Sequence, residues 1–563
     1  MATPVERVNE IRSRRFEFPA PGPNAVGRLA EVSPEGCVVH LERDSAPRLL
    51  WYGEDILRFK LPAGTRVIYP KPTIPGLKDR KAGIRYAIAH PEEMEPLEAL
   101  LKPGMRVTIC IDDISLPLPK FRRPDIRQEM LEILLELLAA HGVEDFHIVI
   151  VTTYHRRMEP HEIIWQVGRR IFDAYYPHQL YNMDADGPGN MVEIGTTELG
   201  EKVRLFRRIA ESDLVIYCNV NLVPMDGGSK SLGVGAADYA GLKANHTPAT
   251  IQACNSYFDH RQSPLTASAD RINAVIDRTL KVFHIESAVN NAMFDPRLAF
   301  FIKNEDRWNA YDRACYETVR AALARLPRPL KRKVLFSIPS CYETTAIYAG
   351  ETHAVHEKIL AYCYAQYCVP VEGQSDVMLV GVPFIMPYNV NSILNPILVH
   401  CLVLGYIFNM YRYMPLVKRN GVLIMTHPLY ADFDPRHHPS YIEFFYRLLA
   451  ETKDPYELER EYEAEFADDP DYRRIFRFGH GYHGVHPFFM WYWGQNGRHH
   501  LGKVIVVGAE DPRAAERLGW EAAATLEEAL EMAKSHVGRT PTISHLKVPP
   551  IQMADVLGEP ESV

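Results

Sequence analysis

The chain has 563 residues, enough for two or three domains, and its 47% hydrophobic and 24% charged residues are the balance of an ordinary folded protein. A formal net charge of −8 argues against nucleic acid or an anionic membrane surface as a partner. No apolar run reaches the roughly 18 residues of a membrane span, the N-terminus lacks an apolar signal core, and nine cysteines without a CxxC pair indicate neither a disulfide framework nor a zinc knuckle, so a cytoplasmic protein is expected.

In chain order, residues 1–48 are rich in Pro, Gly and Arg and carry two short alternating runs, 26–30 and 37–41, which read as an extension or small hairpin. Residues 56–61 (ILRFKL) alternate and 66–69 turn apolar after a charge, as in a β-meander. A short helix is predicted over 91–101. Residues 106–111 (RVTICI) form a buried strand that runs into Asp112-Asp113. Apolar positions at 126, 130, 133, 134, 137 and 138 give helical spacing over 124–141. The next strand, 146–151 (FHIVIV), ends in Thr152-Thr153-Tyr154-His155-Arg156. A helix over 159–173 and a strand over 213–218 (DLVIYC) follow.

Further on, helices are predicted over 265–278 and 305–323, with a strand over 281–285 between them. Residues 327–332 (PRPLKR) read as a linker, and 333–338 (KVLFSI) open a second α/β unit. That unit holds the strand 376–382, a helix reaching 408, and the strand 421–426. A charged helical insertion covers 452–474. The run FGHGYHGVHPFFMWYWGQNGRHH spans 478–500 before a closing strand, 503–507, and helix, 525–536. Alternating strands and helices imply mostly parallel sheets with helices on both faces, and ligands bind such sheets outside the carboxyl ends of the strands.

Three of those ends carry chemistry: Asp112-Asp113, His155, and the stretch NVNLVPMDGGSKSLGVGAADYAGLKANH from Asn219 to His246. The last places Gly227-Gly228 and Lys230 on a loop after a strand. Glycines let backbone amides approach a ligand closely, and such loops cradle phosphates. Neither GxxxxGK[ST] nor GxGxxG is present, because Ser229 precedes the lysine and Gly235 is followed by Ala-Ala-Asp. A lysine on such a loop serves as a covalent anchor, or it is simply a solvated surface charge. His246, sixteen residues later, is a metal ligand or a helix cap, and His155 an acid/base or a satisfied strand-end histidine.

With these residues in place, the chain resembles the nickel-dependent lactate racemases, from Tyr52-Gly53 to about Ala533. The landmarks are Asp113-Ile-Ser, Tyr154-His155-Arg156, Asn182-Met-Asp184, Gly195-Thr196-Thr197, Gly227-Gly228-Ser-Lys230-Ser, Asn245-His246, Asn391, Trp493-Gly-Gln495, and Leu518-Gly-Trp with Thr525-Leu-Glu-Glu-Ala-Leu. The lysine-to-histidine spacing is the most specific of these. The resemblance implies two α/β domains, 49–327 and 328–563, after the extension 1–48, with the active site in the cleft between them. It implies a nickel-pincer nucleotide joined covalently to Lys230, with Asp113, Gly227, Gly228, Ser231 and Trp493 around the cofactor. His246 would ligate nickel through Nε2, the other ligands being two sulfurs and a carbon of the pincer. His155 and Asp113 would be catalytic. The implied reaction moves a hydride from a 2-hydroxy acid to the cofactor and returns it to the opposite face, while a histidine takes the hydroxyl proton.

Departures from the pattern bear on the substrate. The family's second histidine base lies ten residues before the lysine, where this chain has Val220, and its carboxylate-binding arginine lies three residues after the aspartate, where it has Leu116. Leu394 and Ile397 stand where a glutamine and a lysine are expected. Losing an arginine partner forfeits roughly 1.5–3 kcal/mol of charged hydrogen bonding to a carboxylate. The expectation is therefore a racemase or epimerase of a small 2-hydroxy acid or related hydroxyl compound other than lactate. The alternatives are a one-sided redox enzyme with the same cofactor and a non-catalytic cofactor-binding relative. Arg122, Arg123 and Arg127 are candidates for a replacement clamp, or surface charges. His427, His480, His483 and His486 are candidates for a second base. Gly479, Gly481 and Gly484 favour a loop, which disfavours a metal cluster of the three histidines, and the aromatics over 488–493 read as a packed wall or lid.

Overall fold

A computed structural model describes residues 32–563, so the run 26–30 lies outside the described residues. Two sheets organise the chain. The first has six strands in the order Thr344–Gly350, Val282–Val289, Leu214–Asn221, Arg106–Asp112, Asp145–Val151, Leu180–Asn182. All pair in parallel except Thr344–Gly350, which runs antiparallel at the edge. Leu214–Asn221 and Val282–Val289 are buried at every position, as strands covered on both faces are, and their later halves bury the polar Asn219, Asn221 and Glu286 among apolar neighbours.

The second sheet has nine strands, with Ser375–Pro383, Val417–Thr426, Lys503–Val507 and Glu521–Ala523 in parallel on one side and Ile543–Leu546 on the other. The early strands also belong to this sheet. Val38–His40 and Arg66–Ile68 extend it beyond Ile543–Leu546, while Arg48–Gly53 pairs with Ser375–Pro383 and with Asp55–Phe59. The cuts at 48 and 327 therefore do not follow the sheets. The N-terminal meander is part of the second unit, and Thr344–Gly350 part of the first. Strand pairing across hundreds of residues decides this, and no local pattern reports it.

Several elements differ from their sequence reading. Residues 327–332 are not a linker, and 333–338 do not open a separate unit. Together they form the helix Arg328–Ser337, entered through a proline in its first turn, with Lys331, Arg332 and Phe336 buried on one face. The predicted helix 159–173 breaks at Gly168, which takes a positive φ of 83°, into Pro160–Val167 and Arg169–Tyr175. Arg80–Ala89 is a helix that its weak periodicity concealed, and the helix predicted over 91–101 shrinks to Leu97–Leu100. The predicted insertion is helical, but Glu463 within it is buried against Tyr239, Lys243 and Tyr492.

A buried ion pair ties the two units together beside the cleft. Arg156 forks onto Glu162 at 2.7 and 2.9 Å, Arg156 Nη2 also donates to the Val390 carbonyl at 3.1 Å, and Asn391 Nδ2 donates to Glu162 at 2.7 Å. Burial alone would raise the Glu162 carboxyl, but the Arg156 bonds outweigh it and hold the group down at about 2. Among the described residues, no helix is long and apolar enough to cross a membrane.

Candidate active site

Arg106–Asp112 lies between Asp145–Val151 and Leu214–Asn221 in the first sheet. The carboxyl ends of these three neighbours deliver Asp113, His155 and the glycine loop to one place. His155 Nδ1 lies 2.7 Å from Asp113 Oδ2. Asp113 Oδ1 accepts the Ser115 N–H at 2.8 Å and also the Ser115 hydroxyl. Burial raises the Asp113 carboxyl, but the His155 ring and the Ser115 donors outweigh it and leave it below its ordinary value. An ionised Asp113 accepts the Nδ1–H of His155, which leaves Nε2 as the ring atom free to exchange a proton with a substrate.

The loop depends on its glycines. Gly227 and Gly228 have φ of +81° and +57°. A Cβ on Gly227 would lie 2.6 Å from Asn221 Nδ2, and one on Gly228 would lie 2.6 Å from the His356 ring. The Gly228 N–H donates to Glu286 Oε1 at 2.6 Å, and Glu286 is held in turn by His356 at 3.1 Å. This fixes the start of the short helix Lys230–Gly233. Lys230 Nζ donates to the Met225 carbonyl at 2.9 Å. Burial, opposed by the Asp226 charge, lowers the lysine to about 8, and burial opposed by Lys230 raises Asp226 to about 6. An amine shifted this way is a better nucleophile at neutral pH than an exposed lysine.

His246 Nδ1 lies 2.6 Å from Asn245 Oδ1, and its ring stacks on Trp493 with centroids 5.4 Å apart. Burial above all, and then the Lys230 and His155 charges, push the imidazole down to about 3. The ring is therefore neutral, and with Nδ1–H donated to Asn245 its Nε2 carries the lone pair a metal requires.

Two cavities meet at these side chains. One, of about 160 Å³, is the more polar of the two and is lined by Asp112, Asp113, Thr152, Gly227 and Ser231 among others. The second, of about 270 Å³, lies between the units and has apolar walls drawn from several separate segments, with Leu116, Met225, Ile385, Leu402, Trp493 and Ile551 among them. His155, Asp226, Lys230 and His246 line both. Ser231 lines the more polar cavity with a buried hydroxyl that has no partner, and Trp493 Nε1 is likewise buried without one. A nucleotide-linked metal pincer fits these residues, with a buried lysine amine, a neutral imidazole, a glycine loop and the unpartnered Ser231 hydroxyl and Trp493 Nε1 on residues that line the two cavities.

The other predicted positions are resolved by geometry. Gly228 lines neither cavity and instead holds the loop to Glu286. The three arginines do not form a clamp: Arg122 pairs with Asp295, Arg123 bonds the Ile164 carbonyl, and Arg127 forks onto Asp125. His427 lies against Tyr430 away from both cavities. His480 bonds the Arg157 carbonyl, His483 packs between Tyr154 and Phe476, and His486 bonds Tyr441 at 2.5 Å, so the three rings point to different partners. His486 begins the helix His486–Trp493 and packs on His155 with centroids 5.7 Å apart, yet it lines neither cavity. Val220 is fully buried with its N–H on Asp112, while Leu116 lines both cavities. Leu394 and Ile397 are core residues, and Asn391 serves the Glu162 contact. Among the described residues, no group of three or more His, Cys, Asp or Glu side chains could by itself hold a metal ion.

Sequence reasoning did not single out Asp226, Glu286, or the hydroxyl pair Tyr388 and Tyr406, which lie 2.8 Å apart in the apolar wall. Tyr388 follows a buried strand through two prolines, and the strand-end rule was a signal for it.

This is a two-unit α/β protein with its site at converging strand ends. Residues 52–257 match the family of the lactate racemase N-terminal domain. The structure of the lactate racemase apoprotein from Thermoanaerobacterium thermosaccharolyticum matches with a TM-score of 0.58 at 17% identity, covering 90% of this chain and 100% of that one. A crystal structure of a protein from Thermotoga maritima matches at 12% identity with a TM-score of 0.45, covering 85% of this chain and 97% of the other. No curated protein matches. The chain thus resembles the lactate racemase family and shares the fold of its apoprotein.

Proposed function

We propose that this protein is a nickel-pincer-nucleotide enzyme that racemises or epimerises a hydroxyl-bearing carbon. The observation that carries the reading is the meeting of His155, Lys230 and His246 at the junction of a more polar and a more apolar cavity. Lys230 would hold the cofactor through its amine, and His246 would ligate nickel through Nε2. When bound, the group supplies a softly ligated metal centre able to take and return a hydride.

The remaining roles belong to the chain. His155 Nε2 takes the substrate hydroxyl proton as the C–H bond breaks, and it returns the proton when the bond re-forms. Asp113 on Nδ1 orients the ring and stabilises its protonated form. With His155 as the base, the substrate oxygen stays at its ring while the carbon skeleton turns about the C–O axis and presents its other face. A single base also fits a one-sided oxidation. Loss of optical purity of one enantiomer in deuterated water, without any redox partner, supports racemisation over that alternative.

The deciding test is intact mass and nickel content of protein made in a host that synthesises the pincer nucleotide, with Lys230→Ala as control. A cofactor-sized adduct with about one nickel per chain, absent from the variant, is expected from a single anchoring lysine. No adduct, in a host shown competent on a known lactate racemase, would sink the assignment.

A further inference from the structure

We infer that the substrate of this site is a neutral, apolar secondary alcohol, not a hydroxy acid. The inference takes its chemistry from the reading above and its substrate class from the cavity walls.

Among the residues lining the larger cavity, Lys230 is the one lysine or arginine, and its amine is committed to the cofactor. The nearby guanidinium groups face elsewhere: Arg156 is tied to Glu162 and Arg127 to Asp125. Leu116 adds an apolar side chain to the wall of both cavities. The acidic side chain in that wall, Asp226, opposes a second anion. A carboxylate moved into such a space loses its hydration and meets no lysine or arginine partner beyond the committed Lys230, which makes the transfer a costly one.

What the walls offer is apolar surface and neutral donors. The Tyr388 and Tyr406 hydroxyls pair at 2.8 Å, and Trp493 Nε1 is buried without a partner. Burial raises both tyrosines above their ordinary value, so they are neutral. A cavity of about 150 Å³ lined by Leu, Ile and Phe admits benzene, and this one measures about 270 Å³. It has room for a ring or branched chain beside the reacting carbon. The absence of a charged clamp also lets two apolar substituents exchange places while the oxygen stays at His155. The alcohol loses hydride and proton to become a ketone and regains both, so no external oxidant or reductant is consumed.

The test uses a matched pair, 1-phenylethanol and mandelate, which share ring and carbinol and differ by methyl against carboxylate. Binding to the full chain carrying the adduct is measured by calorimetry. If mass spectrometry shows no adduct, the cofactor reading has failed on its own, and the same comparison is made on Lys230→Ala, which keeps the walls and removes the amine. The neutral alcohol is expected to bind at least roughly tenfold tighter than mandelate. Leu116→Arg is expected to reverse the order. Tighter binding of mandelate by the unmodified cavity, or no binding of 1-phenylethanol, overturns the inference. The comparison within the wild-type cavity decides it even if Leu116→Arg fails to fold.

Discussion

Asp113 Oδ2 lies 2.7 Å from His155 Nδ1, and the opposite oxygen of the same carboxyl is held by Ser115. The pair joins the ends of adjacent strands, Arg106–Asp112 and Asp145–Val151, so the sheet register sets its separation. Asp113→Asn removes the charge that accepts the Nδ1–H of His155. Turnover is expected to fall by roughly 10²–10⁴-fold, the usual worth of a positioned acid/base. The mass and nickel content of the chain should stay unchanged, and a loss of both would assign Asp113 to cofactor binding instead.

His155→Gln separates chemistry from loading. The side chain lines both cavities but makes no bond to Lys230 or His246 in the described contacts. Adduct and nickel should be retained while racemisation disappears. Undiminished turnover would remove His155 from the mechanism.

Gly228→Ala tests the loop. The new Cβ would lie 2.6 Å from the His356 ring at a φ of +57°. A non-glycine residue forced into a sparsely populated backbone region costs about 1–3 kcal/mol. A lower unfolding midpoint and reduced cofactor loading are expected together, because the residue that strains is two positions before Lys230. Full loading at wild-type stability would show that the loop has freedom the structure does not display.

The Glu162 pair predicts an acid-sensitive join between the units. Its carboxyl is held at about 2, below the ordinary 4.5. A depressed carboxylate contributes stability that is complete above pH 4.5 and is lost as pH falls toward 2. By linkage the full difference is on the order of 3 kcal/mol. Denaturation midpoints measured across that window should fall for the wild type and fall less for Glu162→Gln. Glu162→Ala, which strands the buried Arg156, should cost roughly 3–5 kcal/mol at neutral pH. Parallel pH curves for wild type and Glu162→Gln would contradict this account.

Much of the site was legible because its chemistry sits at strand ends. Short apolar runs such as DLVIYC and FHIVIV report buried parallel strands directly, and the residues that follow them are near the ligand edge whatever the topology. That is why Asp113, His155 and the Lys230 loop could be named before any contact was known. Leu116 and Val220 were legible as departures, since each is a single position at a fixed distance from a motif.

The sequence by itself determined the strand and helix alternation of the first sheet, the glycine loop with its lysine, and the absence of the expected arginine and second histidine. Tertiary structure alone decided that the first strands join the second sheet, that Arg122, Arg123 and Arg127 turn away, and that an apolar cavity lies between the units. The reason is range. A periodic pattern records what a residue meets within a turn or a pleat. The cavity is built by Leu116, Met225, Ile385, Leu402, Trp493 and Ile551, whose only relation is that folding brings them to one wall.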